Sequence, residues 1–162
     1  MNAPNAELIS TLDHVGIVVP SLEQAVDFFV GYFGASVAFH IDRIIDDTGE
    51  AVARLGAKKG TSFALAMLDL GGQRLELLQW WPCLAYGAGS QVCAPNVRGS
   101  AHVAIEVSDI QATLERMRAV SGVLILSNVV TFDSGPTPGL RNAFFSTPWG
   151  LLIELMSWAT NK

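Results

Sequence analysis

The segment LDHVGIVVPSLEQAVDFF, residues 12–29, recurs in altered form as SAHVAIEVSDIQATLERM, residues 100–117. When the two segments are aligned, His14 falls on His102 and the apolar positions that follow coincide. In both copies apolar residues first recur at every second position and then at every third or fourth. Each copy therefore predicts a short strand, a turn and an amphipathic helix, and the repeat predicts a duplicated fold.

The two copies also end alike. GGQRLELLQW, residues 71–80, aligns with WGLLIELMSW, residues 149–158, so that Glu76 falls on Glu154. Residue type and turn signals between these ends predict the remaining elements. The first copy is predicted to form a strand at 14–19, a helix at 21–33, a strand at 35–45, a segment 51–55 that extends this strand or pairs with it, and strands at 61–70 and 73–80. The second copy is predicted to form a strand at 101–107, a helix at 109–120, and strands at 122–130, 140–147 and 151–158.

These elements predict an α+β fold of two tandem βαβββ modules. The first module is expected over residues 11–81 and the second over residues 100–159. Residues 1–10 are interpreted as an N-terminal tail. Residues 82–99, which are rich in Pro and Gly, are interpreted as the linker between the modules.

Composition limits the possible partners. Half of the 162 residues are apolar, 15% are charged, and the net charge is -5. The sequence has no basic stripe, which argues against nucleic acid, and its apolar runs are too short to span a membrane. The N-terminus has no signal-peptide pattern, and the two cysteines are interpreted as reduced thiols. A cytoplasmic protein with a small-molecule partner is expected.

The duplicated His and Glu predict a metal centre. Side chains alternate across a strand, which places each His and each Glu among apolar neighbours. Burial of an unpaired carboxylate costs a folded protein on the order of several kcal/mol. Here a carboxylate stands among apolar residues at equivalent positions of both copies. The predicted ligands of one divalent ion are His14, Glu76, His102 and Glu154. Imidazole and carboxylate ligands suit Ni, Co, Mn, Fe or Zn, and the sequence does not choose among these metals.

Neighbouring positions on the same strand faces predict a substrate pocket. The predicted lining residues are Val18, Leu78, Trp80, Glu106, Met156 and Trp158. If these side chains line the site, the substrate is bulky or hydrophobic. The alternative is that the aromatic residues belong to the core or to a dimer interface. Glu106 is interpreted either as a second acid/base group or as a residue at the sheet rim that faces water.

Four stretches carry a resemblance to a known family: DHVGIVVPSLEQAVDFF, DLGGQRLELL, AHVAIEVSDI and NAFFSTPWGLLIELMSW. Over residues 12–158 the chain resembles the vicinal oxygen chelate superfamily. This superfamily includes glyoxalase I, methylmalonyl-CoA epimerase, extradiol dioxygenases and bleomycin-resistance proteins. The resemblance implies that the sheets of two βαβββ modules form a half-open barrel around a metal held by the four predicted ligands. It also implies a homodimer.

The ligand set favours one branch of that superfamily. Glu76 stands where the dioxygenases carry a His, so the chain is most similar to methylmalonyl-CoA epimerase and glyoxalase I. Two positions depart from these enzymes. Val18 stands where bacterial glyoxalase I has an Arg used for glutathione, and the predicted strand 61–70 lacks, over residues 62–67, the carboxylate expected in the epimerase.

The resemblance implies a metal-dependent isomerase, epimerase or lyase that abstracts a proton next to a metal-bound carbonyl. Glu154 is the expected base, with Glu76 as its counterpart in the first module. Two alternatives are a metal-dependent dioxygenase of the same superfamily and a non-catalytic protein that binds an antibiotic or a toxin.

Overall fold

The computed structural model describes residues 12–45, 47–83, 95 and 99–158. The chain divides into two compact units, Met1–Leu84 and Ala85–Lys162. Each unit combines one β-sheet with helical segments, so the predicted α+β fold class is confirmed. The predicted tail 1–10 and most of the predicted linker 82–99 lie outside the described residues. Within the described part of the chain, no helix has the length and apolar character needed to cross a membrane.

The first unit has a four-stranded sheet. Its elements are β1 Val15–Val18, α1 Leu22–Phe33, β2 Ser36–Ile45, α2 Glu50–Arg54, β3 Ser62–Leu70 and β4 Gln73–Trp81. The strand order is β1-β4-β3-β2, in which β1 is parallel to β4 and the other neighbours are antiparallel. The first and last strands of the unit are therefore hydrogen-bonded neighbours.

Helix α1 packs on one face of this sheet. The hydroxyl of Ser21 accepts a hydrogen bond from the backbone N–H of Gln24 at the start of the helix. Gly34 ends the helix with φ of +69°, a left-handed conformation that glycine adopts without steric cost. Leu75 and Leu77 of β4 are buried, whereas Glu76 between them belongs to the opposite face.

The second unit repeats this plan, and its helix and its last two strands are shorter than their counterparts. They are β5 His102–Glu106, α3 Ile110–Arg118, β6 Leu124–Ile125, β7 Val130–Thr131, β8 Leu140–Ser146 and β9 Leu152–Trp158. The strand order is β5-β9-β8-β6, and β7 also pairs with β8. Strand β5 is parallel to β9, as β1 is to β4.

The predicted continuous strand 122–130 is wrong, because this segment forms two short strands, β6 and β7, with a break between them. The backbone N–H groups of Leu126 and Ser127 both donate to the carbonyl of Phe144, at 2.9 and 3.2 Å. The hydroxyl of Ser127 in turn accepts from the Phe144 N–H at 2.9 Å. A side chain thus replaces a backbone acceptor here and interrupts the regular ladder.

The interpretation of segment 51–55 as strand is also wrong, because Glu50–Arg54 forms the short helix α2. Gly49 precedes it with φ of +81°, and Glu, Ala and Arg are good helix formers. Tertiary packing completes the explanation. Val52 is fully buried and clusters with Phe63 and Leu65 of β3, and Leu78 and Trp80 of β4 pack partly buried against this group.

The packing of α2 predicts the effect of Val52→Ala. Removal of two buried methyl groups is expected to lower the free energy of unfolding by about 2 kcal/mol. Urea denaturation measures this difference. Arg54→Ala on the exposed side of the same helix is the control and is expected to change stability by less than about 0.5 kcal/mol. Equal effects of the two substitutions would contradict the packing of α2 described above.

Candidate metal centre

The first unit brings His14 and Glu76 together. Gly16 of β1 lies opposite Glu76 of β4 in the parallel ladder, and His14 immediately precedes β1. The His14 Nε2 atom lies 3.6 Å from the Glu76 Oε2 atom. The Glu76 side chain is 19% exposed, so most of this carboxylate is withdrawn from water. A His and a Glu 62 positions apart in sequence therefore form one pair.

Asp13 orients the His14 ring. The Asp13 Oδ1 atom lies 2.8 Å from His14 Nδ1. An ionised carboxylate only accepts hydrogen bonds, so Nδ1 carries the donated proton and Nε2 is left to face Glu76. The hydrogen bond to His14 holds the pKa of Asp13 below its usual value, and the positive charge of Arg74 acts in the same direction. Asp13 therefore stays ionised at neutral pH.

Gly16 leaves the space in which the Glu76 carboxylate lies. A Cβ atom at Gly16 would stand 3.1 Å from Glu76 Oε2 and 3.3 Å from Leu78 Cδ1. Contacts this short would require the neighbouring side chains to move by a few tenths of an ångström. The missing side chain at Gly16 is therefore part of the geometry of the first pair.

The second unit forms the equivalent pair. The His102 Nε2 atom lies 3.3 Å from Glu154 Oε2, and the Glu154 side chain is 13% exposed. The side-chain amide of Asn142 donates a hydrogen bond to Glu154 Oε1 at 2.8 Å. The rings of His102 and Phe144 stand edge to face with centroids 6.2 Å apart. These contacts fix both members of the pair.

The donor atoms of the pairs suit a divalent metal. In each unit an imidazole nitrogen faces a carboxylate oxygen on the sheet face opposite the buried aliphatic residues of the last strand. Nitrogen with oxygen ligands is the donor set that first-row divalent ions accept. Within the described residues, no group of three or more His, Cys, Asp or Glu side chains is gathered as a ready metal site. Each unit by itself supplies two of the four predicted ligands.

The predicted pocket residues of the first unit fall in different surroundings. Val18 is exposed on the outermost strand and lies opposite Leu78. Leu78 and Trp80 share a face with Glu76 but pack partly against the cluster of Val52 and Phe63. Their apolar surface is thus reduced by α2, a helix that the sequence analysis did not foresee.

In the second unit, the three predicted pocket residues lie on the face of Glu154. Glu106 is exposed and lies opposite the half-buried Met156 in the ladder of β5 and β9. Trp158 is exposed and lies opposite Leu140 at the end of β9. Glu106 therefore has the placement of a residue that faces water in this unit.

Three residues of the site were missed by the sequence analysis. Asp13 could have been noticed from its position beside His14. Gly16 and Asn142 required strand register, because each acts across a ladder on a residue remote in sequence. Asn142 carried one signal: it is polar in a strand that is otherwise largely apolar.

Comparisons with known proteins identify relatives of this chain and solved structures with a similar fold. The chain is 36% identical over 146 residues to a 2-epi-5-epi-valiolone epimerase from an Actinomyces species, covering 89% of this chain and 77% of the relative. It is 28% identical over 149 residues to a probable lactoylglutathione lyase of Vibrio cholerae serotype O1, covering 88% of this chain and 87% of the relative. Among solved structures, a glyoxalase family protein from Bacillus cereus superposes with a TM-score of 0.74 at 22% identity, covering 96% of this chain and 99% of that one.

Two units of the same sheet topology, each with a His–Glu pair between its parallel first and last strands, define a class of α+β proteins with an internally repeated fold. The model of the glyoxalase/bleomycin resistance protein/dioxygenase superfamily matches residues 11–155, and the chain belongs to this superfamily. The resemblance seen in the sequence motifs is confirmed. Relatives named as an epimerase and a lyase support an isomerase or lyase type of function.

The space at Gly16 predicts the effect of Gly16→Ala. We expect the fold to be kept and the Glu76 carboxylate to shift by a few tenths of an ångström. Affinity for a divalent metal should fall several-fold, which competition with a chelator measures. The matched control is Ala104→Gly, because Ala104 lies opposite Glu154 in the second unit. An unchanged metal affinity in Gly16→Ala would argue against this role for Gly16.

The contact between Asp13 and His14 predicts a second effect. Asp13→Ala should lower metal affinity by roughly 10-fold, because loss of a partner that orients a ligating imidazole typically has an effect of this size. Isothermal titration with a divalent metal measures the change. Asp133→Ala, which alters an exposed aspartate in the second unit, serves as the control. A loss of the same size in both variants would show a general charge effect instead.

Proposed function

We propose that the chain is a metal-dependent epimerase or isomerase of the glyoxalase type, which removes a proton from a carbon next to a carbonyl group. The proposed metal ligands are His14, Glu76, His102 and Glu154. The observation that carries the proposal is the duplicated pair, in which an imidazole nitrogen faces a largely buried carboxylate oxygen at 3.6 and 3.3 Å. A single such pair would be an ordinary polar contact, but the same pair occurs at equivalent positions of both units.

A divalent ion held by these residues, which could be Ni, Co, Mn, Fe or Zn, would polarise the substrate carbonyl and make the adjacent C–H more acidic. The residues of the chain have three tasks. The imidazoles and carboxylates bind the ion. Glu154 and Glu76 are the carboxylates available to accept the proton from carbon and return it. The surroundings of the two carboxylates leave only 19% and 13% of these side chains exposed, whereas the imidazoles remain 37% and 49% exposed, and shielding of the carboxylates strengthens their electrostatic interactions.

Of the two relatives described above, the one with the higher identity supports an epimerase. The relative at 36% identity is named a 2-epi-5-epi-valiolone epimerase, and this name denotes a ketone whose configuration is inverted at one centre. We propose this ketone, or one closely like it, as the first candidate substrate. Lactoylglutathione is the weaker candidate, because Val18 lacks the positive charge expected for glutathione. The packing of Leu78 and Trp80 with α2 leaves less apolar surface for a bulky hydrophobic substrate.

Metal analysis and isotope exchange test the proposal. After dialysis, the purified full chain should retain a stoichiometric divalent metal, and 2-epi-5-epi-valiolone in D₂O should gain deuterium at the carbon next to the carbonyl. A chelator should abolish this exchange and re-added metal should restore it. The hemithioacetal of methylglyoxal and glutathione is the comparison substrate, expected to react far more slowly.

Other outcomes identify the alternatives. Consumption of O₂ with either substrate would show a dioxygenase. Tight binding of a small molecule without turnover, by protein that retains no metal, would show a binding protein. The predicted homodimer is a separate proposal, and sedimentation velocity of the full chain tests it.

A further inference from the structure

Helix α2 covers one end of the sheet face that carries Glu76. By strand register, Phe63 and Leu65 of β3 lie opposite Trp80 and Leu78 of β4. Because side chains alternate across a strand, all four belong to the face of Glu76. Leu78 is two residues beyond Glu76, a separation of roughly 7 Å along the strand. The surface beneath α2 therefore adjoins the first His–Glu pair.

This surface is apolar because the polar side chains nearby belong to the opposite face of the sheet. Gln79 of β4 accepts a hydrogen bond from the backbone N–H of the first residue of α1, at 2.8 Å. Ser62 of β3 accepts one from Arg43 Nε at 2.9 Å. Beneath α2, the rings of Phe63 and Trp80 lie against each other with centroids 4.9 Å apart. The helix thus hides an aromatic pair from water.

Segment 49–60, which contains α2, packs on this surface through apolar side chains. Val52 is fully buried in the cluster with Phe63, and Ala57 packs partly buried against the same cluster. The backbone N–H groups of residue 53 and of residues 55–57 all donate to carbonyls of residues 49–53. These hydrogen bonds hold the segment together without tying it to the sheet, so they need not break when it moves.

Glycines stand at both ends of the segment. Gly49 has φ of +81° and Gly60 has φ of +89°, a backbone conformation in which a side chain would be strained. Small residues at the ends of a segment often absorb the backbone change of a hinge. Segment 49–60 can therefore move as one body once the Val52 side chain leaves its place.

The second unit leaves the same position open. Its connection from β7 to β8, residues 132–139, contains no helix. Trp158, which aligns with Trp80 in the repeat, is 44% exposed, whereas Trp80 packs partly buried against the cluster of Val52. Helix α2 is thus an element of the first unit alone within the two described sheets, and it shields an indole ring that its counterpart exposes.

We propose that segment 49–60 is a hinged cover, with Val52 as its latch, and that the surface beneath it binds an uncharged apolar molecule when the cover lifts. In this structure the cover is closed, and the isopropyl group of Val52 occupies the place of the ligand against Phe63 and Leu65. An apolar ligand replaces the contacts that Val52 gives up on opening. A charged ligand would be desolvated there without a partner.

Alkylation of a thiol at the latch tests whether the cover lifts. The full chain with Cys83→Ser, Cys93→Ser and Val52→Cys is treated with iodoacetamide and followed by mass spectrometry. The matched control is Val19→Cys, because Val19 is equally buried in the same unit but outside the cluster beneath α2. The thiol at position 52 should react roughly 100-fold faster than the control, at a rate nearly independent of urea below the unfolding transition. Equal rates with the same urea dependence would overturn the proposal.

Binding of N-phenyl-1-naphthylamine, an uncharged fluorescent molecule, tests the ligand. Val52→Ala should bind this probe roughly 10-fold more tightly than the wild-type chain, because loss of buried methyl groups raises the fraction of open cover. Val19→Ala removes the same two methyl groups from another part of the core and should leave the affinity unchanged. Equal gains in both variants would show binding to a generally loosened core and would contradict a site beneath α2.

The location of the probe and its effect on the latch complete the test. In NMR spectra the probe should shift the methyl signals of Leu65 and Leu78 and leave those of Val19 in place. It should also speed the alkylation of Val52→Cys, because it binds the state in which the latch is free. Slower alkylation, or shifts confined to other residues, would place the probe elsewhere and overturn the proposal.

One further outcome identifies a different occupant. If Val52→Ala self-associates in sedimentation velocity without binding the probe, the open face recruits a second copy of the chain and the small-molecule ligand is wrong. None of these measurements needs a metal or the epimerase substrate. The proposed reaction can therefore fail while the cover is confirmed, and the cover can fail while the reaction is confirmed.

Discussion

The parallel pairing of the first and last strands of each unit is the constraint on which the rest depends. In both units a strand that begins near a His lies directly beside the strand that carries the Glu. In a sheet made only of antiparallel hairpins, each strand would pair with the strand next to it in sequence. The parallel contact instead joins the two ends of a unit, and it is made possible by the helix that follows the first strand. The His–Glu pair is a direct product of this topology.

Much of the fold was predictable because the repeat shows it twice. The strands and helices that bear the repeated motifs appear close to their predicted bounds, from β1 and α1 to β9. The two errors, at α2 and at the break between β6 and β7, fall where the copies differ. At α2, helix-forming residues and the burial of Val52 on Phe63 and Leu65 both favour a helix. At the break, the Ser127 hydroxyl interrupts the ladder.

The candidate site was predictable only in part, for a related reason. His14, Glu76, His102 and Glu154 are repeated residues, and their repetition singled them out. Asn142 has no counterpart in the first unit, where Leu65 stands at its position. Alignment of the two copies singles out the residues that they share, and a residue present in one copy alone does not stand out. Register across the β8–β9 hairpin is what connects Asn142 to Glu154.

The strand order places each His at the outermost strand of its sheet and each Glu one strand further in. Outer strands have half as many hydrogen-bonded neighbours as inner ones, and they open more readily by local fluctuation. Strand β1 has only four residues, and Val15 and Val18 are exposed. Local opening of β1 or β5 would carry the imidazole away from its partner while the carboxylate stays in the inner strand. For the proposed metal centre, this opening would give an ion a route to solvent while the core stays folded.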